Sequence, residues 1–262
     1  MIKIDEKTKS TNTITIINQK GGVGKTTTAV NLAAALGEKG KSVLLIDLDP
    51  QGNATSGFGI EKIAGMKSIY DGIMNSTPTE ELIMPTNEQN VDIIPSTIDL
   101  AGAEPELVMV ISRETRLMDV IKQIDGLYDY IIMDSPPSLG LLTINALTAS
   151  KKLIIPVQCE YYALEGLSKL LDTIKLVKLR LNKDLEIQGA LLTMYDIRTL
   201  LARQVSREIK EFFKEKVYKV VIPRSVRLAE APSFGQSILS YNSKSKGAKA
   251  YRELAKEVIK RG

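Results

Sequence analysis

A lysine and a threonine side by side behind a run of glycines offer the plainest chemistry in this 262-residue chain. They stand in Asn18-Gln19-Lys20-Gly21-Gly22-Val23-Gly24-Lys25-Thr26-Thr27-Thr28. Glycines let backbone N–H groups turn inward around an anion, and a following helix adds partial positive charge at its N-terminus. In such a loop Lys25 reaches the β- and γ-phosphates of a nucleotide, and the Thr26 hydroxyl is a ligand for Mg²⁺. The general pattern G-x-x-x-x-G-K-[ST] fails at its first glycine, where Gln19 stands. The loop carries instead a second lysine, Lys20. Packing gains nothing from a flexible cation in a phosphate loop, so Lys20 reads as a functional group.

These side chains need a strand in front and a helix behind. The apolar run Ile14-Thr15-Ile16-Ile17 supplies the first, and Ala29 to Leu36 the second. Further apolar strands are predicted near 42–47, 91–95, 130–134, 152–157, 187–193 and 217–222, with amphipathic runs near 97–107, 115–124, 139–149, 161–181, 200–213 and 246–260 between them. Apolar strands separated by helices predict an α/β fold, a mostly parallel central sheet with helices on both faces. No repeat or Pro/Gly-rich linker divides the chain, so one domain over 13–262 is expected, behind a loose tail of residues 1–12.

In such a sheet ligands sit at the carboxyl ends of the strands. Two of those ends are acidic: Asp47-Leu48-Asp49-Pro50-Gln51-Gly52-Asn53 and Asp134-Ser135-Pro136-Pro137-Ser138. Pro50 keeps Asp49 extended, so the chain turns beside the phosphate loop. An Asp after a buried strand is the Mg²⁺-side carboxylate of P-loop NTPases, which assigns Asp134 beside Thr26. Either Asp alone could equally cap the next turn.

Composition narrows the chemistry. There is no His, which removes His catalysis and His metal ligation, and Cys159 is the single cysteine, which removes an internal disulfide. No apolar run approaches the roughly 20 residues that span a bilayer, and the N-terminus is too polar for a signal peptide. These features predict a cytoplasmic protein. The net charge of +4 hides an asymmetry: residues 1–170 hold 15 Lys/Arg and 21 Asp/Glu, a net of −6, and residues 171–262 hold 20 and 10, a net of +10. A basic half implies a polyanionic partner or a set of solvated helix faces.

Taken together, the Lys20–Thr27 loop and the two Asp motifs resemble the deviant Walker A ATPases. Glu160-Tyr161-Tyr162-Ala163-Leu164-Glu165-Gly166, Leu192-Thr193-Met194-Tyr195-Asp196 and Ile222-Pro223-Arg224-Ser225-Val226-Arg227-Leu228-Ala229-Glu230-Ala231-Pro232-Ser233 narrow the resemblance to the ParA/Soj chromosome-partitioning ATPases. It covers about residues 12–260.

The resemblance implies roles. ATP and Mg²⁺ drive a face-to-face homodimer in which Lys20 reaches the partner's nucleotide, as an arginine finger does elsewhere. Lys25 and the backbone of Gly21, Gly22, Val23, Gly24, Thr26 and Thr27 hold the phosphates. Thr26 ligates the metal with Asp134 supporting it, Asp49 orients the attacking water, and Asp47 shapes the same corner. Met194, Asp196, Pro223 and Arg224 match segments around the adenine base, although a Met and a fixed proline also suit plain packing. The dimer binds double-stranded DNA without sequence preference through Arg198 and Arg227. Lys219, Lys246 and Lys249 are candidates by charge alone. Absence of Trp argues against a stacking platform for single strands. A ParB-type centromere-binding protein stimulates hydrolysis, and the protein is expected on the nucleoid rather than on a membrane. A MinD-like membrane-associated positioning ATPase is the alternative. The C-terminal stripe Tyr251, Leu254, Ala255, Val258 and Ile259 lacks Trp and Phe and reads as a docked helix.

Overall fold

The computed structural model describes residues 10–160 and 165–262. Its strands are β1 (Asn12–Ile16), β2 (Val43–Asp47), β3 (Met84–Pro85), β4 (Val91–Ile94), β5 (Tyr130–Asp134), β6 (Lys152–Gln158) and β7 (Glu186–Thr193). The first half of the chain adds helices α1 (Lys25–Glu38), α2 (Asn53–Gly57), α3 (Ile69–Asn75), α4 (Leu100–Leu107), α5 (Arg116–Lys122) and α6 (Leu141–Ala149). The second half adds α7 (Glu165–Arg180), α8 (Leu200–Phe213), α9 (Val226–Glu230), α10 (Ile238–Tyr241) and α11 (Lys246–Arg261).

The strands form one sheet in the order β3-β4-β2-β5-β1-β6-β7, parallel throughout except for the short β3–β4 pair. Strand period decides what each face buries. Ile14, Ile16, Val43, Leu45, Ile93 and Ile132 point to the side covered by α1 and α11. Their neighbours Leu44, Ile46, Ile94, Ile131 and Met133 point to the layer of α3 to α6, and Leu153, Ile155 and Val157 to the packing of α7 and α8. Burial on both faces is why these strands read as unbroken apolar runs. β1 is the exception, because its Thr13 and Thr15 are buried. Thr15 Oγ1 satisfies itself on Ser150 Oγ at 2.5 Å.

Three expectations change. The segment near 217–222 is not a strand of the sheet. It follows the edge of β7 through isolated bridges at Ala190–Val217 and Tyr195–Pro223. Its ladder breaks because the N–H groups of Lys219 and Val220 donate to the Glu257 carboxylate instead. Thr11 and Asn12, expected in the loose tail, belong to the folded chain. Residues 1–9 lie outside the described residues, whereas Thr11 is buried with its N–H on Asp125 Oδ1, and Asn12 opens β1. Of the expected helix 161–181, residues 161–164 lie outside the described residues, and α7 runs from Glu165. The C-terminal helix does dock: Tyr251, Leu254, Ala255 and Val258 are buried in the core that α1 shares. Cys159 is buried as well, and burial pushes its thiol up to about 11.

Candidate nucleotide-binding site

β1 delivers the glycine loop and α1 receives it. Gly22 and Gly24 have φ of 72° and 88°, the left-handed region that favours glycine. A Cβ built on Gly21 or Gly22 would find nothing within 4 Å, so the glycines leave an open cradle above the loop. Val23 turns the other way. It is buried, and its carbonyl accepts the Thr193 hydroxyl at 2.8 Å, which ties the loop to the end of β7. Asn18 ties it to β6, donating to the Pro156 carbonyl at 2.8 Å while its Oδ1 accepts the Lys20 N–H at 3.0 Å. Lys25 is 7% exposed and curls back to donate to the Lys20 carbonyl at 3.2 Å.

The acidic corner is set by strand register. β5 lies between β1 and β2, and Asp134 is paired across the sheet with Ile16 on one side and Asp47 on the other. Two carboxylates therefore end neighbouring strands at full burial. Asp47 is hydrogen-bonded on both oxygens: Oδ2 accepts from the N–H and the hydroxyl of Thr55, each at 2.8 Å, and Oδ1 accepts the Asp49 N–H at 3.2 Å. Burial nonetheless raises its carboxyl to about 6. Asp134 is different: neither of its oxygens is engaged in a hydrogen bond of ordinary geometry among the described residues, although the Thr26 hydroxyl stands close enough to favour its charged form. Burial, then the Asp47 charge, pushes its carboxyl well above the usual range, with the Thr26 hydroxyl and the Lys25 charge pulling the other way. Burial lowers Lys25, and Asp134 and Asp49 raise it in return. Thus a cation, a hydroxyl and an unsatisfied carboxylate converge under the glycine cradle.

The cradle opens into a cleft of about 650 Å³ whose lining includes Gly21, Gly22, Gly24, Lys25, Thr26 and Thr27. Asp49 lines it too, 8% exposed, with Gln51 N–H on its Oδ1 at 3.0 Å. A smaller, mostly apolar pocket of about 210 Å³ adjoins at Gly24 and Thr27 and is lined by Met194, Pro223 and Arg224, with Tyr251 behind.

This arrangement has relatives. A family model described as an AAA domain matches residues 11–187. The sporulation initiation inhibitor protein Soj of Bacillus subtilis is 59% identical over 249 residues, 95% of this chain and 98% of that one. The chromosome partitioning protein ParA of Myxococcus xanthus is 53% identical, over 95% and 88%. The chain belongs to the ParA/Soj family of chromosome-partitioning ATPases. Among solved structures, a Mycobacterium smegmatis protein described as cobyrinic acid a,c-diamide synthase, with bound ADP and magnesium, superposes on this ParA/Soj fold with a TM-score of 0.85. It is 39% identical, over 95% of this chain and 94% of that one. The cell division ATPase MinD of Pyrococcus furiosus gives a TM-score of 0.77 at 27% identity, over 96% and 99%.

In this ParA/Soj chain the sequence-predicted residues divide. The phosphate loop, Asp49 and Asp134 come together at one corner, and Met194, Pro223 and Arg224 share the adjoining pocket. Asp196 does not join them. It lines neither cavity, because Arg198, two residues on, captures its carboxylate from the backbone N–H and the guanidinium at 2.7–3.0 Å. Lys20 is also absent from the cleft lining. Arg198 and Arg227 lie outside both cavities and are 84% and 57% exposed, each on a neighbouring acid, Asp196 and Glu230.

Several lining residues escaped the sequence reading. Gln51, Asn53 and Pro137 sat inside recognised motifs without being assigned, and Pro232 and Ser233 closed another. Asn31 carried no signal. Its Nδ2 donates to the Thr27 carbonyl and its Oδ1 accepts the Ile238 N–H, both at 2.7 Å, which fastens α10 to the phosphate loop.

Proposed function

We propose that this ParA/Soj chain binds ATP with Mg²⁺ in the cleft, closes into a two-subunit sandwich, grips double-stranded DNA without sequence preference, and releases it on hydrolysis. One observation carries the nucleotide half of this reading: Asp134 is buried with both oxygens unpartnered, beside Thr26 and Lys25, under a loop of glycines with open space above it. Among the described residues there is no carboxylate or thiolate cage for a metal. Mg²⁺ needs none, since it keeps several waters and takes one or two carboxylates plus phosphate oxygens. Thr26 and Asp134 would hold it, and it would neutralise charge on the β- and γ-phosphates.

The chain's own residues do the rest. The N–H groups from Gly21 to Thr27 and the Lys25 ammonium bind the phosphates, and Met194, Pro223 and Arg224 receive the base. Asp49 orients the attacking water. Lys20, outside its own cleft, supplies charge to the partner subunit's nucleotide. Arg198 and Arg227 take DNA phosphates. DNA binding holds the ATP form on the nucleoid, and a ParB-type partner accelerates the hydrolysis that releases it. The MinD-like alternative loses support from the docking of α11, whose apolar stripe is occupied by the core. No helix among the described residues is long and apolar enough to cross a membrane.

DNA retardation with ADP, ATP and a non-hydrolysable analogue tests this reading, with vesicle sedimentation in parallel. Retardation confined to the ATP-like states is expected. ATP-dependent sedimentation with vesicles and no retardation would replace the reading with the membrane one.

A further inference from the structure

The segment between α2 and α3 offered no chemistry in the sequence, yet one of its side chains reaches the site. Lys62 donates from Nζ to the Gln51 carbonyl at 2.6 Å and to the Gly52 carbonyl at 3.4 Å. Its stem lies across Gly52. A Cβ built there would stand 2.9 Å from Lys62 Cδ and 3.0 Å from the Ser96 carbonyl oxygen. Gly52 also has φ 60°, so the turn under Lys62 needs glycine on both counts.

That turn aims Asp49. The Gln51 N–H donates to Asp49 Oδ1 at 3.0 Å, and the Gly52 N–H to the Asp49 carbonyl at 2.8 Å. On its inner side the turn is anchored by buried Asp47, which accepts the Asp49 N–H at 3.2 Å. On its outer side it is held by an exposed ammonium on two carbonyls. Lys62 is not among the residues lining the nucleotide cleft, so it acts on Asp49 and not on the nucleotide.

We propose that Lys62 is a positioning residue for hydrolysis: it latches the Gln51–Gly52 turn and so keeps the Asp49 carboxylate aimed at the attacking water. The proposal rests on the reading of Asp49 as the water-orienting group. Geometry of this kind matters because a misplacement near 1 Å in a reacting group lowers a rate by about a hundredfold. A loosened outer latch, with the inner anchor intact, should lower it by about tenfold.

The test compares Lys62→Met, which keeps the stem and removes the donor, with Lys62→Arg and Asp49→Ala, all in the full chain. Single-turnover ATP hydrolysis, fluorescent-nucleotide affinity and amide exchange over residues 49–53 are measured on each. Lys62→Met should hydrolyse about tenfold more slowly, with nucleotide affinity unchanged and faster exchange in that turn. Lys62→Arg should recover most of the rate. Wild-type hydrolysis by Lys62→Met alongside a dead Asp49→Ala overturns the Lys62 role alone. Wild-type hydrolysis by Asp49→Ala overturns the reading of Asp49 instead. Parallel loss of nucleotide affinity and rate in Lys62→Met, or no recovery in Lys62→Arg, makes the contact merely structural and also overturns the proposal.

Discussion

The nucleotide corner and the two exposed arginines hold their charges in opposite ways. At the corner, Asp47, Asp49, Asp134 and Lys25 are buried and fixed by strand register and backbone hydrogen bonds. Arg198 and Arg227, by contrast, are largely exposed, and each rests on an acid two or three residues away in its own segment. Hydrogen bonding from Arg198 holds the Asp196 carboxyl down at about 2. Exposed pairs are nevertheless screened by water and salt and contribute little to stability. Buried charges have one pose, set by the fold. Exposed arginines are free to exchange one anion for another, and under the proposed function a DNA phosphate would displace the carboxylate. The first arrangement suits a single ligand in a single geometry, and the second would suit the sequence-independent DNA binding we propose.

Lys25→Ala puts the sharpest strain on this contrast. It removes the charge we assign to the β- and γ-phosphates and leaves Asp134 and Asp49 without their buried counter-charge. Breaking one partner of a buried charge cluster is far more disruptive than breaking a surface pair, so nucleotide affinity should fall by about a hundredfold or more. Calorimetric titration with ADP and Mg²⁺ measures it. Affinity within a few-fold of wild type would mean that the corner is no more committed than the surface.

Lys20→Ala should have an intermediate effect. The backbone of Lys20 is built into the loop, its N–H on Asn18 and its carbonyl under Lys25. Its side chain is not among the groups lining the cleft. Removing that side chain should spare nucleotide affinity and weaken ATP-dependent dimerisation by about tenfold, the effect of losing one well-placed charge across an interface. Light scattering after size-exclusion, with ATP and with ADP, reads it. Equal dimerisation of variant and wild type removes the action in trans.

The same contrast explains what the sequence could and could not disclose. The corner was legible because its parts are local: glycines that need positive φ, and Asp47 and Asp134 that follow strands buried on both faces. The family resemblance added Asp49 and the residues Met194, Pro223 and Arg224 that line the adjoining pocket. Contacts across the sheet were not legible. Nothing in local pattern says that Thr193 holds Val23, that Thr55 satisfies Asp47, or that Asn31 joins α1 to α10. Nor was it legible that Asp196 would line neither cavity and pair instead with Arg198, two residues away. The segment 217–222 has the apolar content of a strand, and Glu257 on α11 interrupts its ladder from 37–38 residues further along. The two-residue β3 and the seven-residue α3 are too short for a periodic signal.

The arginines should give the smallest effect on the fold and a specific one on DNA. Arg198→Ala and Arg227→Ala each remove one exposed cation that lines neither cavity, so nucleotide affinity and dimerisation should be unchanged. Each lost phosphate contact should weaken binding by a similar factor on unrelated duplexes and reduce the salt slope by about one unit of log K per log salt. Both effects need the arginine to let go of its acid, so the DNA phosphate competes with Asp196 or Glu230. The measurement is affinity for two unrelated duplexes at several salt concentrations, with ATP and with ADP. A strong preference for one duplex, or an unchanged affinity in the double variant, would move the DNA surface to the other lysines and arginines of the basic half. Loss of dimerisation in either variant would show that these ion pairs are part of the frame, and the contrast between a fixed corner and exchangeable surface arginines would fail.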